Sequence, residues 1–270
     1  MADISNEESY PNIRESWRVL GTIILFQLLF GIIVKPFETT FGKELTSLIS
    51  YVLTMGVTFV IIHRKRINRQ ETSNYDFGIG SIKIILLLCV ATVAIEIGII
   101  APIISQIPMP DYMQKILLGD GSSTGVYSFI TIVIAAPILE ELIFRGIILN
   151  GLLKSYSPLK SIIISSLLFG LVHLNPWQFI GASIIGILSG WVYFKTNKLN
   201  LSIIIHMTTN FLAFLGQYFN SRDVNLTKST SEYSLTELYG GTTNLIIILT
   251  IAITIALSSI YLLDKEFRKK

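Results

Sequence analysis

Charged residues are scarce in this sequence. Asp, Glu, Lys and Arg make up 14% of the 270 residues, whereas about a quarter is usual for a soluble globular domain. The net charge of +3 is too small to indicate a nucleic-acid partner. The only cysteine, Cys89, leaves no partner for an intrachain disulfide. Hydrophobic residues make up 51% of the chain, and its mean hydropathy is +0.62, so we expect an integral membrane protein.

Eight apolar segments approach the length of about 20 residues that a membrane-spanning helix needs. None shows the period-two alternation of barrel strands, so helices are expected. The predicted fold is all-α, a polytopic transmembrane helical bundle with about eight spans. The segments are 19–34, 45–62, 82–105, 126–153, 160–174, 177–194, 199–219 and 244–263.

The positions of Lys and Arg predict the orientation of the bundle. If the N-terminus is cytoplasmic, most basic residues fall on the cytoplasmic side, as the positive-inside rule requires. An even number of spans then places both termini in the cytoplasm. We divide the chain into an N-terminal region of three spans with an external loop (1–125), a core of four spans (126–219), and an external loop with the C-terminal span (220–270).

Apart from two lysines at segment starts, six acidic, basic or histidine residues lie inside the apolar segments. Each costs a few kcal/mol to insert, whereas a polar contact between membrane helices stabilises by only about 0.6 kcal/mol on average. A purely structural role therefore explains them poorly, and they are functional candidates. They are Glu96, Glu140, Glu141, Arg145, His173 and His206.

The stretch "APILEELIFRG" contains three of these residues. Glu141 and Arg145 are four positions apart, so they share a helix face and can pair. Glu140 is rotated by about 100° from Glu141 and remains as the spare carboxylate. Pro137 removes one backbone donor, which predicts an irregular helix just before the glutamates.

Two histidine motifs follow. In "FGLVHLNPW", His173 lies four residues after Phe169, and Pro176 makes a helical Asn175 unfavourable, so the helix should end near the histidine. In "HMTTN", His206 and Asn210 share a helix face and both can donate hydrogen bonds. Counting along the helices gives Glu140, His173 and His206 depths that overlap loosely, and helix tilt could bring them together in the middle to cytoplasmic half of the membrane.

The motifs EExxxR, FxxxH and HxxxN, in this order and in apolar spans, resemble those of the CAAX protease and bacteriocin-processing (CPBP, or Abi) family of intramembrane proteases. The resemblance covers roughly 126–215. It implies a glutamate-dependent endopeptidase in which Glu140 and His173 activate a water molecule. It also implies that His206 and Asn210 stabilise the oxyanion, while Glu141 and Arg145 support the motif helix.

No cofactor is expected from this resemblance. The chemical alternative is zinc, because two histidines and a glutamate form a possible ligand set with an open water position. The sequence lacks HExxH, however, and its two intramembrane histidines lie on different helices.

Two other classes of function stay open at this point. A non-catalytic protein of the same fold would bind a bacteriocin or a sensor protein, as an immunity or scaffolding protein. A transporter would use a proton relay, for which Glu96 is suggestive, but no repeated halves are visible.

The partners expected for a protease are the lipid bilayer and a membrane-associated peptide or protein substrate. The abundance of Ile, Asn and Lys and the compact size indicate a bacterial cell membrane. Bacteria rarely offer prenylated substrates, so a peptide or membrane protein is the expected substrate.

Overall fold

The computed structural model describes residues 10–70, 74–110, 113, 124–222 and 235–269. Within these ranges the chain forms eight long helices and no β-strand. Short helices at Lys35–Phe37 and Glu38–Phe41 join the first two, and another at Leu235–Leu238 precedes the last. The long helices are α1 (Ile13–Val34), α2 (Lys43–Gln70), α3 (Ile82–Ile104), α4 (126–155), α5 (Pro158–Leu171), α6 (Pro176–Thr196), α7 (Leu199–Arg222) and α8 (Thr242–Phe267).

Each of the eight predicted segments coincides with one of these helices, so the polytopic helical bundle is confirmed. Six helices (α1, α2, α3, α6, α7 and α8) are long and apolar enough to cross a membrane. Helix α5 has 14 residues and is about 21 Å long, and α4 is interrupted by π-helical turns. The count of eight spans, the cytoplasmic termini and the division into three regions stay predictions. Most of the two predicted external loops lies outside the described residues.

Helix α4 occupies the centre of the bundle, where it contacts α2, α5 and α7. One buried apolar cluster joins α1, α2, α4 and α5, and a second joins α3, α6, α7 and α8. Large apolar side chains such as Ile32, Ile82 and Leu257 are exposed on the outer surface. Because the bilayer would cover these side chains, their exposure is typical of lipid-facing helices.

Two helices change to π-helical turns shortly before a proline. In α4, the π-helical segment Ile130–Ala135 precedes Pro137, and the N–H of Ala136 donates to the carbonyl of Thr131. In α3, the segment Glu96–Ile100 precedes Pro102. In a π-helical turn, each carbonyl accepts from the N–H five residues later. Proline has no N–H, so in each helix the carbonyl five residues before the proline lacks its backbone donor. The irregularity expected near Pro137 is therefore present.

A polar network closes one end of the bundle. The guanidinium of Arg66 donates to the carbonyl of Gly146 at 2.6 Å and to the side chain of Asn150 at 3.2 Å. Asn150 in turn donates to the hydroxyl of Tyr193, and Arg66 lies over the ring of Tyr75. This end carries the basic residues that predict the cytoplasmic side.

Candidate active site

Glu141 and Arg145 form the predicted ion pair. Arg145 Nη1 and Glu141 Oε1 are 2.8 Å apart, and both side chains are 1% exposed. Arg145 also donates to the carbonyl of Gly186, and Ser189 donates to Glu141. These contacts tie α4 to α6. A buried pair that is broken on one side costs several kcal/mol, so the pair fixes this part of α4.

Glu140 lies beside the pair but makes different contacts. Its Oε1 accepts a hydrogen bond of 2.5 Å from the hydroxyl of Tyr51 on α2. Its Oε2 is buried and has no hydrogen-bond partner among the described residues. A buried carboxylate oxygen without a donor is costly, and it marks a position where a water molecule or a substrate group fits.

His206 lies between the two glutamates. Its Nδ1 is 3.1 Å from Glu141 Oε1, and its Nε2 is 3.9 Å from Glu140 Oε2. An ionised carboxylate only accepts hydrogen bonds, so Nδ1 carries a proton, and Nε2 faces Glu140 Oε2. The sequence-based expectation paired Glu140 with His173 and assigned His206 to the oxyanion. It stays a prediction, because His173 lines a cavity together with Glu140 while His206 lies beside Glu140.

His173 lies in the turn after α5, which ends at Leu171 as the sequence predicts. Its Nδ1 is 3.0 Å from the carbonyl of Phe169, which leaves Nε2 free to face a cavity. Asn175, the next polar residue, is extended and caps α6 by accepting from Gln178 N. The turn thus presents His173 at the end of a short helix.

The ring of Phe169 connects the motif residues. Its centroid is 4.4 Å from the guanidinium carbon of Arg145, and it makes edge contacts with His173 and His206 at 5.6 and 5.2 Å. The spacing of four between Phe169 and His173 therefore has a packing reason, because one ring fixes two imidazoles and the arginine.

Asn210 Nδ2 donates to the carbonyl of Ile132 on α4 at 2.8 Å. In the π-helical register this carbonyl would accept from residue 137, which is a proline without an N–H. Asn210 replaces the missing donor and retains a second amide hydrogen. Its side chain also lines a cavity with His206.

Two cavities meet at these residues. We call the first the Glu140 cavity, and its volume is about 410 Å³. It is lined by Glu140, His173, Gln178, Tyr51 and other polar residues of α2. The second, the Glu96 cavity, is about 390 Å³ and is lined by Glu96, His173, His206 and Asn210. His173 and Gln178 line both cavities, so the cavities meet at these two residues.

Both cavities extend toward the end of the bundle where α1 joins α2. The Glu140 cavity reaches Glu38 and Thr46 at this junction, and the Glu96 cavity reaches Met109 and Gln217. The opposite end is closed by the network around Arg66. The sequence-based expectation that the site lies in the middle to cytoplasmic half of the membrane stays a prediction, because helix spacing gives heights along an axis but not the direction in which a cavity opens.

Tyr51 is the residue of this site that the motifs did not reveal. Its signal in the sequence is a stripe of polar residues on one face of the second span, at the spacing of a helix that buries one side. Members of this stripe line the Glu140 cavity: Ser47, Ser50, Tyr51 and Thr54.

Comparison with known proteins supports the same region. The family model for "Type II CAAX prenyl endopeptidase Rce1-like" matches residues 122–212, which contain all three motifs. Within the described residues, no three His, Cys, Asp or Glu side chains are grouped as metal ligands. No solved structure matches the chain.

Curated bacterial proteins are also similar to the chain. The membrane-embedded CAAX protease MroQ of Staphylococcus aureus is 27% identical over 76% of this chain and 90% of its own length. The UPF0177 protein YxdF of Lactococcus lactis is 25% identical over 58% of this chain and 88% of its own length. The putative membrane peptidase YdiL of Bacillus subtilis is 31% identical, but over only 31% of this chain and 34% of its own.

These names point to a CAAX-type membrane peptidase. Together with the six apolar helices, the bacterial relatives identify an integral protein of a bacterial membrane. The sequence motifs, the family model and the relatives agree, and together they support the CAAX protease and bacteriocin-processing family for this chain.

Proposed function

We propose that the chain is an intramembrane endopeptidase that hydrolyses a peptide bond in a membrane-associated peptide or protein. The observation that carries this proposal is the buried Glu140 Oε2, which lacks a hydrogen-bond partner among the described residues and faces His206 Nε2 at 3.9 Å. A water molecule beside both atoms would contact a carboxylate and an imidazole nitrogen at once. Such a pair can remove a proton from water during attack.

In the proposed reaction, the water oxygen forms a bond to the carbonyl carbon as its proton passes to Glu140. The tetrahedral intermediate then breaks its carbon–nitrogen bond, and the proton is transferred from Glu140 to the departing amine. Tyr51 holds the other oxygen of Glu140 through the 2.5 Å hydrogen bond, which keeps Oε2 directed at the water. Glu141 orients His206 through Nδ1.

The proposed oxyanion donors are His173 and Asn210. Asn210 has one amide hydrogen that Ile132 does not use, and His173 donates through Nε2 when the ring is protonated. Both side chains line the Glu96 cavity. Donors aimed at developing negative charge in a site sheltered from water are among the largest contributions to catalysis.

We also propose that the reaction needs no metal, because Glu140 and His206 together provide a base and a second contact for the water. Purified protein should then retain its activity after exhaustive chelation. Loss of activity that zinc restores and magnesium does not would replace this mechanism with a metallopeptidase.

The substrate and the activity can be sought together in intact cells. Peptide termini that accumulate with the wild-type protein should disappear with Glu140→Gln, whereas Glu44→Gln should retain them. Glu44 is a suitable control because it bonds Gly125 and Ser128 at the end of the bundle and does not line either cavity. A non-catalytic binding protein predicts the same termini with all three proteins.

A further inference from the structure

The Glu96 cavity contains one group that the proposed reaction does not use. Glu96 is half-buried on α3 and lines this cavity with His173, His206 and Asn210. It begins the π-helical segment that precedes Pro102, and π-helical turns occur frequently at functional sites. Inserting a carboxylate into a membrane span costs a few kcal/mol, so such a residue is a functional candidate by default.

Among the described residues, no Lys or Arg balances the charge of this carboxylate from within the cavity, although two histidines, His173 and His206, also line it. None of the described ion pairs includes Glu96. Thr209 on α7 lines the same cavity beside Glu96, and its buried hydroxyl has no hydrogen-bond partner among the described residues. A cavity with a single carboxylate is complementary to one positive charge.

The rest of the lining suits an apolar stem. The apolar side chains of Ile100, Ile104, Met109, Ile185 and Ala213 line the cavity, alongside polar Gln178 and Gln217. Long basic side chains bury their methylene groups against apolar surface and place only the charged end next to a polar partner. Lysine and arginine match this combination better than a small cation.

The distance between Glu96 and the reacting groups can be estimated from the spacing of Thr209 and His206 along α7. Thr209 lies three residues beyond His206, which is about 4.5 Å along the helix axis. An extended peptide advances about 3.3 Å per residue. A substrate residue that reaches Glu96 would therefore lie within about two residues of the bond beside His206.

We propose that the Glu96 cavity is a substrate subsite for a positively charged group, a Lys or Arg side chain, within about two residues of the cleaved bond. Glu96 is the specificity-determining residue of this subsite. The inference rests on the proposed endopeptidase activity and adds the substrate class to it. It also gives a role to the intramembrane glutamate that otherwise suggests a proton relay.

The test uses the full-length protein in detergent and internally quenched apolar peptides built around a junction that the wild-type protein cleaves. Lys, norleucine or Glu is placed, one at a time, at each of the three positions on either side of the cleaved bond. The wild-type protein should prefer Lys over norleucine at one position by about tenfold in kcat/KM, the scale of a partly desolvated charge pair. Glu96→Gln should reduce this ratio to about one, and Glu96→Arg should favour Glu instead.

Glu44→Gln is the matched control and should keep the wild-type ratio. The ratio comes from one preparation, so differences in yield cancel, and Glu96→Met provides a second neutral variant if Glu96→Gln does not accumulate. An unchanged Lys preference in the neutral variants would overturn the subsite while leaving the protease intact. Cleavage of these peptides by Glu140→Gln would instead overturn the proposed function.

Discussion

Asn210 Nδ2 donates a 2.8 Å hydrogen bond to the carbonyl of Ile132, five residues before Pro137. The bond joins two helices at the point where proline interrupts the backbone ladder of α4. This bond gives a structural reason for an asparagine one turn after His206, whether or not Asn210 takes part in catalysis. Asn210 thus combines a structural contact with a proposed catalytic one, and the two can be separated by experiment.

Asn210→Ala should lower the free energy of unfolding by about 1–3 kcal/mol, because the partly buried carbonyl of Ile132 loses its donor. It should also lower turnover by about 10²–10³-fold, the scale for one lost oxyanion donor. Thermal unfolding in detergent and kcat on the same preparation measure the two effects. Thr208→Ala is a control, because the Thr208 hydroxyl bonds the carbonyl of Ile204 in its own helix.

Pro137→Ala in the Asn210→Ala background separates the two roles. Alanine restores an N–H that can reach Ile132 in the π-helical register, so stability should recover while turnover remains low. Recovery of turnover together with stability would show that Asn210 acts only through the backbone of α4.

Glu141→Gln should be strongly destabilising. It leaves the fully buried Arg145 without its carboxylate, and breaking a buried pair on one side costs about 3–5 kcal/mol. The expected result is low yield and a lower midpoint of thermal unfolding. Glu266→Gln is the control, because it weakens an ion pair with the exposed Lys83 and should change the midpoint little. Similar shifts of the midpoint in the two variants would contradict the role given to the buried pair.

Tyr51→Phe should preserve the fold and reduce kcat by about 10- to 100-fold. The phenol donates to Glu140 Oε1 at 2.5 Å, and a hydrogen bond to a charged group contributes about 1.5–3 kcal/mol. Tyr261→Phe, on the exposed surface of α8, is the matched control. Wild-type kcat in Tyr51→Phe would mean that the contact is not needed to hold the base.

The predicted orientation can be tested by cysteine labelling in a Cys89→Ala background. Thr39→Cys, between α1 and α2, should react with a membrane-impermeant reagent added outside the cell. Ser157→Cys, between α4 and α5, should react only after the membrane is opened. Both positions are exposed. The reverse pattern would place both cavities toward the cytoplasm.

Local spacing was enough to predict part of the site. The Glu141–Arg145 pair lies within one helix turn, so its geometry follows from the periodicity alone. The end of α5 near His173 likewise follows from Pro176, which acts on the adjacent residue. The apolar segments predicted the eight helices because burial in lipid requires long apolar helices whatever their packing.

Contacts between distant helices could not be obtained in this way. Tyr51 and Glu140 are 89 positions apart, and nothing in either motif selects that tyrosine. The choice of His206 over His173 as the neighbour of Glu140 depends on the rotation of α7 against α4. The Asn210–Ile132 bond depends on a π-helical turn, which periodicity at 3.6 residues does not predict.

The most direct test of the central claim compares Glu140→Gln with the wild-type protein, using one substrate identified from cells. Affinity and single-turnover cleavage are measured on the same purified preparations. The account predicts that Glu140→Gln binds the substrate with nearly wild-type affinity and forms no product, because the amide cannot accept the proton of the attacking water. Cleavage by this variant at a rate close to that of the wild-type protein would contradict the account.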